Sequence, residues 1–261
     1  MRIHAIADLH LSFGVPDKGM DRFGEHWIDH PRKIEDAWRQ MVAEGDLVLI
    51  PGDISWALRM SQALPDLEFV ARLPGRKVIC RGNHDYWWTT VAKVRAALPE
   101  SIAAVGGDAI AIDDVAIAGT RLWDVPGVQY RDAIDWKDGA GSSISPPTLR
   151  RTEEEVARDE QIYQRELGRL TRALESLTEL RERGADRLGV LLVHYPPIGL
   201  DLEPTEVTDR IERCPVDHVV FGHLHSLKPE VPTHLGERNG VEYHLVSCDA
   251  IGFSPVTIAT G

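Results

Sequence analysis

Short apolar runs recur along the chain, and several of them end in a cluster of polar side chains. Five of these pairs of run and ending are Ile3–Ala7 before Asp8 and His10, Leu47–Pro51 before Asp53, Lys77–Cys80 before Asn83 and His84, Val190–Val193 before His194, and His218–Phe221 before His223 and His225. The pattern predicts parallel strands that bring their polar endings to one edge of a sheet, where open α/β folds place their sites.

Helical patterns separate the early runs. Ile34 to Val42 repeats apolar residues at helical spacing, residues 58–73 read as a helix that Pro65 should break or restart, and residues 87–98 read as a third helix. This alternation predicts βαβ units and a parallel sheet.

The middle of the chain has a different pattern. Ala109–Ile112 and Val115–Ala118 flank Asp113-Asp114, which predicts a hairpin and therefore a mixed sheet. Thr152–Glu155 is a capping box that opens a long helix. We interpret the apolar stripe of that helix as packing against the sheet, with a coiled-coil dimer as the alternative. The irregular segment 121–147 is expected to be functional or disordered.

The last third returns to strands, predicted at Leu188–Val193, Val216–Phe221, Tyr243–Val246 and Val256–Ile258. No stretch has the composition of a linker, so residues 1–261 are expected to form one domain.

Composition narrows the possible partners. The net charge of −12 over 261 residues disfavours nonspecific binding to nucleic acid, which depends on Lys and Arg. The three cysteines are scattered, which argues against structural zinc and a disulfide framework. No signal peptide or membrane span is evident, so a cytoplasmic protein with no membrane partner is expected.

The polar endings contain the side chains of a metal site. Asp8 and His10 are two residues apart and share a face of an extended chain. Alone, residues 8–10 would more often be an ordinary loop and Gly52-Asp53 a common turn, whereas residues 222–225 are a moderate signal and residues 82–85 an uncommon one. Their occurrence in series makes coincidence a poor explanation. One metal ion cannot use two Asp, one Asn and four His, whereas two ions that share Asp53 can. This ligand set suits Mn, Fe, Zn, Co or Ni, and Mn is the expected choice in vitro.

In this order, the motifs Asp-x-His, Gly-Asp, Gly-Asn-His-Asp, His and Gly-His-x-His resemble those of the calcineurin-like metallophosphoesterase superfamily. The resemblance implies a four-layer α/β/β/α sandwich of two mixed β-sheets flanked by helices. It assigns one metal to Asp8, His10, Asp53 and His225, and the other to Asp53, Asn83, His194 and His223. A narrower similarity to small uncharacterised bacterial phosphohydrolases rests on length and on residues 85–88.

The expected reaction is hydrolysis of a phosphomonoester or phosphodiester by a hydroxide that bridges the two metals. His84 remains outside the ligand set and is the expected proton donor to the leaving group. Asp85 is expected either to orient His84 or to act as a helix N-terminal carboxylate.

Substrate contacts are harder to predict. His26 and His30 lie in the 12–31 loop, which should line the site, and Arg81 and Arg121 are candidates to bind a phosphate oxygen. For Arg121 a salt bridge is the favoured alternative. The acidic charge favours a small phosphorylated substrate over long nucleic acid, and no protein partner can be inferred. The alternative to an enzyme is a catalytically inactive binding scaffold on the same fold.

Overall fold

A computed structural model describes residues 1–135, 152–184 and 186–260. The first of its two sheets contains β1 (Arg2–Ala5), β2 (Leu47–Ile50), β3 (Arg76–Ile79), β4 (Ile102–Ala104) and β11 (Val256–Thr260). Their order is β11-β1-β2-β3-β4, in which β11 is antiparallel to β1 and the other neighbours are parallel.

The second sheet contains β5 (Asp108–Ile112), β6 (Val115–Thr120), β7 (Leu188–Val193), β8 (His218–Phe221), β9 (His234–Arg238) and β10 (Val241–Leu245). Their order is β5-β6-β7-β8-β10-β9, with antiparallel strands at both edges and parallel strands between them. Both sheets are therefore mixed, as expected.

Helices cover the outer face of each sheet. The helices are α1 (His30–Met41), α2 (Met60–Ala71), α3 (Val91–Arg95), α4 (Glu153–Glu182) and α5 (Glu206–Ile211). One apolar core joins α1, α2 and α3 to the first sheet, and another joins α4 and α5 to the second. A third core lies between the sheets and contains residues such as Ala5, Leu49 and Leu192. These three cores define the predicted α/β/β/α layers.

Several local predictions are confirmed. The hairpin pairs Ile112 with Val115 across a two-residue turn, and Asp113 in that turn has a positive φ of 49°. The Thr152 hydroxyl accepts a hydrogen bond from the Glu155 amide, and the Glu155 carboxylate accepts one from the Thr152 amide. The apolar stripe of α4 is buried against the second sheet, which confirms core packing.

Two helix predictions are wrong. Pro65 lies inside α2 without breaking it. The third helix begins only after Thr90, whose hydroxyl caps it, because Trp87 and Trp88 are buried in the first core instead of starting the helix. The short strands β4 and β9 were not anticipated.

Part of the irregular segment 121–147 lies outside the described residues, including Trp136 and the Gly-Ser stretch 139–143. Within the described ranges, no helix is long and apolar enough to cross a membrane.

Candidate metal centre

The polar endings of five strands converge, but they come from two sheets and not from one. β1, β2 and β3 of the first sheet are followed by Asp8, His10, Asp53 and Asn83, and β7 and β8 of the second are followed by His194, His223 and His225. Hydrogen bonds join the sheets here, since the His223 amide donates to Asp8 Oδ2 at 2.9 Å. The polar endings therefore meet where the two sheets of the sandwich adjoin, and not at one edge of a single sheet as predicted.

The first group of side chains surrounds Asp8. Ligand atoms of Asp8, His10 and His225 all lie within 4.8 Å of one another. His10 Nε2 is 3.1 Å from His225 Nε2 and 3.8 Å from Asp53 Oδ2. Together these four residues match the first predicted ligand set in position.

The second group surrounds His194. Its Nε2 is 2.6 Å from Asn83 Oδ1 and 3.4 Å from Asp53 Oδ2, and His223 Nδ1 is 3.0 Å from the same Asn83 oxygen. The same Asp53 oxygen therefore faces both groups, which is the position that a shared ligand requires.

The atoms of the second group fit a cation. His194 Nδ1 donates to the carbonyl of Pro51 at 3.0 Å, so the lone pair of a neutral His194 is on Nε2. That lone pair points toward Asn83 Oδ1 and Asp53 Oδ2. Both oxygens are hydrogen-bond acceptors, and not donors, when these side chains are in the form that binds a metal. Acceptors this close repel one another unless a cation or a proton lies between them, and the donor set suits a divalent transition metal. Asp8 Oδ1 is likewise buried with no hydrogen-bond partner among the described residues.

Burial sets the protonation of the centre. Burial raises the pKa of Asp8 to about 6 and raises the pKa of Asp53 well above its usual value. It lowers the pKa of His10 and His194 well below the usual range and that of His223 to about 3. Neutral imidazoles are the form in which His binds metals, and a bound cation would favour the ionised carboxylates.

Asp249 completes the first group and was missed by the sequence reasoning. Its Oδ1 lies 2.8 Å from His225 Nδ1, so it fixes the tautomer that leaves Nε2 facing His10. Burial opposes the charged form of His225, but the Asp249 carboxylate outweighs it and the pKa of His225 rises to about 9. Asp249 follows β10 outside any recognisable motif, so no local signal marked it.

The backbone at the centre is strained. Asp8, His10, Asp53 and His223 have φ values between 44° and 76°, a left-handed region that residues with a Cβ rarely adopt. Gly52 has a φ of 93°, and a Cβ there would lie 2.7 Å from His194 Nδ1 and from the backbone of Gly82. Left-handed residues of this kind cluster at functional sites.

Asp85 has a different role from either of those expected. Its carboxylate accepts hydrogen bonds from the amides of Gly82, Asp53, Ile54 and Ser55 and from the Trp87 indole, all at 2.8–3.2 Å. The prediction that it orients His84 is wrong, because these donors occupy both carboxylate oxygens. It is not a helix N-terminal carboxylate either, since α3 begins at Val91. Asp85 holds the loop of Asp53 against the loop of Asn83.

His84 lies beside the centre. Its ring centroid is 4.4 Å from that of Trp56 and 5.6 Å from that of His10, and its amide donates to Asp53 Oδ1 at 2.8 Å. The His84 Nδ1 is buried without a hydrogen-bond partner in the described part of the chain. Burial, together with the charges of His225 and Lys18, lowers the pKa of His84 to about 4. Trp56, which also stacks on His10 at 4.9 Å, was not anticipated.

The two histidines of the 12–31 loop have different surroundings. His30 is buried, and its ring nitrogens lie 3.0 Å from the Leu9 carbonyl and 3.2 Å from the Trp27 carbonyl. The prediction that it contacts substrate is wrong, because both ring nitrogens face backbone carbonyls inside the protein. His26 is exposed and lines a cavity of about 940 Å³ that also reaches Asp249.

The two candidate phosphate-binding arginines share a smaller cavity of about 190 Å³, together with Arg169. The Arg121 guanidinium donates to the buried Glu166 carboxylate at 3.1 Å and stacks over Trp123, so the favoured alternative, a salt bridge, is confirmed. Burial lowers the pKa of Arg81, whose Nε is buried with no hydrogen-bond partner among the described residues.

Comparison with known proteins agrees with the motifs. Residues 1–227 match the model of the calcineurin-like phosphoesterase family, and the chain belongs to that family. Among solved structures, it is similar to a protein of unknown function from Aquifex aeolicus, with 14% identity and a TM-score of 0.43 over 98% of this chain and 95% of the other. A comparison with curated proteins finds no match.

Proposed function

We propose that this chain is a metal-dependent hydrolase of phosphomonoesters or phosphodiesters, with two divalent cations in the candidate centre. When bound, such a pair polarises phosphoryl oxygens and lowers the pKa of water toward neutrality. The observation that carries the proposal is the position of Asp53 Oδ2, which faces His10 in one group and His194 in the other.

The proposed ligands follow the two groups of atoms. Asp8, His10, Asp53 and His225 hold one ion, and Asp53, Asn83, His194 and His223 hold the other. Pro51 and Asp249 support this assignment, because each accepts the proton of one imidazole and leaves the opposite nitrogen for the metal.

His84 is the proposed proton donor to the leaving-group oxygen. It stands beside His10 without being needed as a ligand. Its low pKa in the ligand-free protein keeps the ring neutral at pH 7. A bound phosphate anion next to the imidazole acts in the opposite direction and raises the pKa, so substrate itself promotes the protonated form.

The substrate is proposed to be small. The cavity of about 940 Å³ beside Asp249 is lined by Arg22 and Lys228, which supply positive charge for a phosphate, by His26, and also by Glu25 and Asp135. A mixed lining suits a compact phosphorylated molecule better than the long polyanion of a nucleic acid, which requires extended positive surface.

The direct test is hydrolysis by the purified protein loaded with Mn²⁺. p-Nitrophenyl phosphate reports monoesterase activity and bis-p-nitrophenyl phosphate reports diesterase activity. Turnover of either substrate that disappears after chelation supports the proposal. If the protein retains two metal equivalents yet turns over neither substrate, the binding scaffold becomes the better description.

A further inference from the structure

We propose that the chain has a third metal site, for one Zn²⁺ ion, at the start of β8, with His218, Glu242 and His244 as its three protein ligands. Ligand atoms of these residues lie within 4.8 Å of one another. His234 lies beside the cluster, with its Nε2 3.5 Å from Glu242 Oε2 and its ring stacked on that of His244 at 4.9 Å, so it covers the site without being a ligand. The site goes beyond the proposed hydrolase function and does not depend on it.

The register of three neighbouring strands creates the cluster. Glu242 of β10 pairs with His218 of β8, and His244 of β10 pairs with His234 of the edge strand β9. Val241, Tyr243 and Leu245 point into the core beneath α4 and α5. Because side chains alternate along a strand, Glu242 and His244 project from the opposite face, and so does His218.

The spacing of the ligand atoms suits zinc. His218 Nδ1 is 3.2 Å from His244 Nε2 and 3.8 Å from Glu242 Oε2, and the last two atoms are 3.6 Å apart. A tetrahedral Zn²⁺ with bonds of 2.0–2.2 Å separates its ligand atoms by about 3.3 Å. Movements of a few tenths of an ångström would therefore close the site.

The cluster lies at the boundary between the interior and solvent. The side chains of His218 and His244 are only 12% and 9% exposed, whereas those of Glu242 and His234 are 40% and 58% exposed. The cluster therefore opens to solvent at the edge of the sheet. Neutral imidazoles with one carboxylate form a standard donor set for zinc.

The site is separate from the candidate dinuclear centre. His218 begins β8, whereas His223 follows the end of that strand. Five residues of extended chain span roughly 16 Å, so the two clusters share no ligand. The ion would instead join the neighbouring strands β8 and β10.

The experiment is a Zn²⁺ titration of chelator-stripped protein against a chromophoric competitor, with metal content measured by mass spectrometry. All variants carry Asp53→Asn, which weakens the dinuclear centre. The test variant is Glu242→Gln, and the matched control is Glu237→Gln, which makes the same charge change at an exposed residue paired opposite Glu242.

The proposal expects the parent and Glu237→Gln to retain one tight equivalent of Zn²⁺ that Glu242→Gln loses. His218→Gln, at a second ligand, should lose the same equivalent, whereas His234→Gln, at the exposed ring stacked on His244, should retain it. Equal binding by all variants would overturn the proposal, and so would equal loss in Glu237→Gln. Failure of the hydrolase proposal is separate, since it would appear as missing turnover in the protein with Asp53 intact.

Discussion

Asp53 is the residue on which the two groups of the candidate centre depend. Asp53→Asn should abolish hydrolysis and lower metal content, because an amide cannot supply the negative charge that two cations share. Metal analysis and turnover of p-nitrophenyl phosphate measure the two effects. Asp36→Asn, at an exposed position in α1, is the control. Full activity in Asp53→Asn would remove this aspartate from the site.

His84 can be separated from the ligands by its effect on rate alone. His84→Ala should lower kcat by roughly 10²–10⁴-fold, the usual contribution of a positioned proton donor, while metal content stays unchanged. A substrate with a good leaving group should be less sensitive to the substitution than one with a poor leaving group. Loss of metal in His84→Ala would show that His84 supports the ligands instead.

Asp249 should act through His225. The pKa of His225 is about 9 in the metal-free protein, so at pH 7 a cation must displace a proton to bind there. Metal affinity should therefore rise with pH from neutrality up to about pH 9. Asp249→Asn removes the charge that raises this pKa, so it should flatten the pH profile and weaken metal binding roughly 10–100-fold. An unchanged profile would exclude this positioning role.

At the scale of elements, Asp46 joins the starts of two strands. Its carboxylate accepts hydrogen bonds from the amides of Arg2 and Ala43 and lies 3.4 Å from His4 Nε2. Burial raises the pKa of Asp46, but these hydrogen bonds outweigh burial and lower it to about 2. The ionised form therefore stabilises the fold above about pH 4, and this stability is lost as the pH falls toward 2.

Asp46→Asn should consequently lower the free energy of unfolding at pH 7 by about 1–2 kcal/mol. The difference from the wild type should shrink as the pH falls from about 4 to 2. Urea unfolding across this range measures both effects. Asp36→Asn again serves as the control, since Asp36 is exposed. A difference that is the same at pH 2.5 and pH 7 would contradict this account.

The sequence predicted the elements whose signal is local. Strands β1, β2, β3, β7 and β8 are short apolar runs with polar endings, and α4 has both a capping box and a stripe. The same endings gave the seven candidate ligands, because each follows its strand directly. Prediction failed where a distant contact decides the structure, as when burial of Trp87 and Trp88 delays α3.

The residues that support the site were less predictable for the same reason. Asp249 meets His225 across 24 residues, and Trp56 reaches His84 across 28. Asp85 is adjacent to His84 in sequence, yet three of its five hydrogen-bond donors are amides about 30 residues away and none is His84. Adjacency along the chain suggested the wrong partner, because a buried carboxylate is held by whichever donors the fold brings to it.

At the scale of the molecule, the candidate centre links the two sheets. Its candidate ligands come from the first sheet at Asp8, His10, Asp53 and Asn83, and from the second at His194, His223 and His225. A cation that binds only the folded chain stabilises it by about 2.7 kcal/mol at a free concentration 100 times its Kd. Metal removal should therefore lower stability as well as activity.

Thermal unfolding with and without Mn²⁺ measures this coupling. The wild type should gain roughly 5–10 °C in Tm at saturating Mn²⁺, from that free energy and the size of the chain. Asp53→Asn should show a much smaller gain at the same concentration. An equal gain in both proteins would mean that the ion stabilises the fold from elsewhere.

The left-handed backbone at Asp8, His10, Asp53 and His223 has a consequence for how this sequence can diverge. Glycine would relieve the conformational cost at each position, but at Asp8 and Asp53 it would also remove the carboxylates that accept hydrogen bonds from the His223 and His84 amides. In a descendant that no longer needed the centre, His10 and His223 should drift to glycine or asparagine before Asp8 and Asp53, because the two carboxylates also hold loop amides. Their composition in related chains is therefore a record of whether selection still acts on the site.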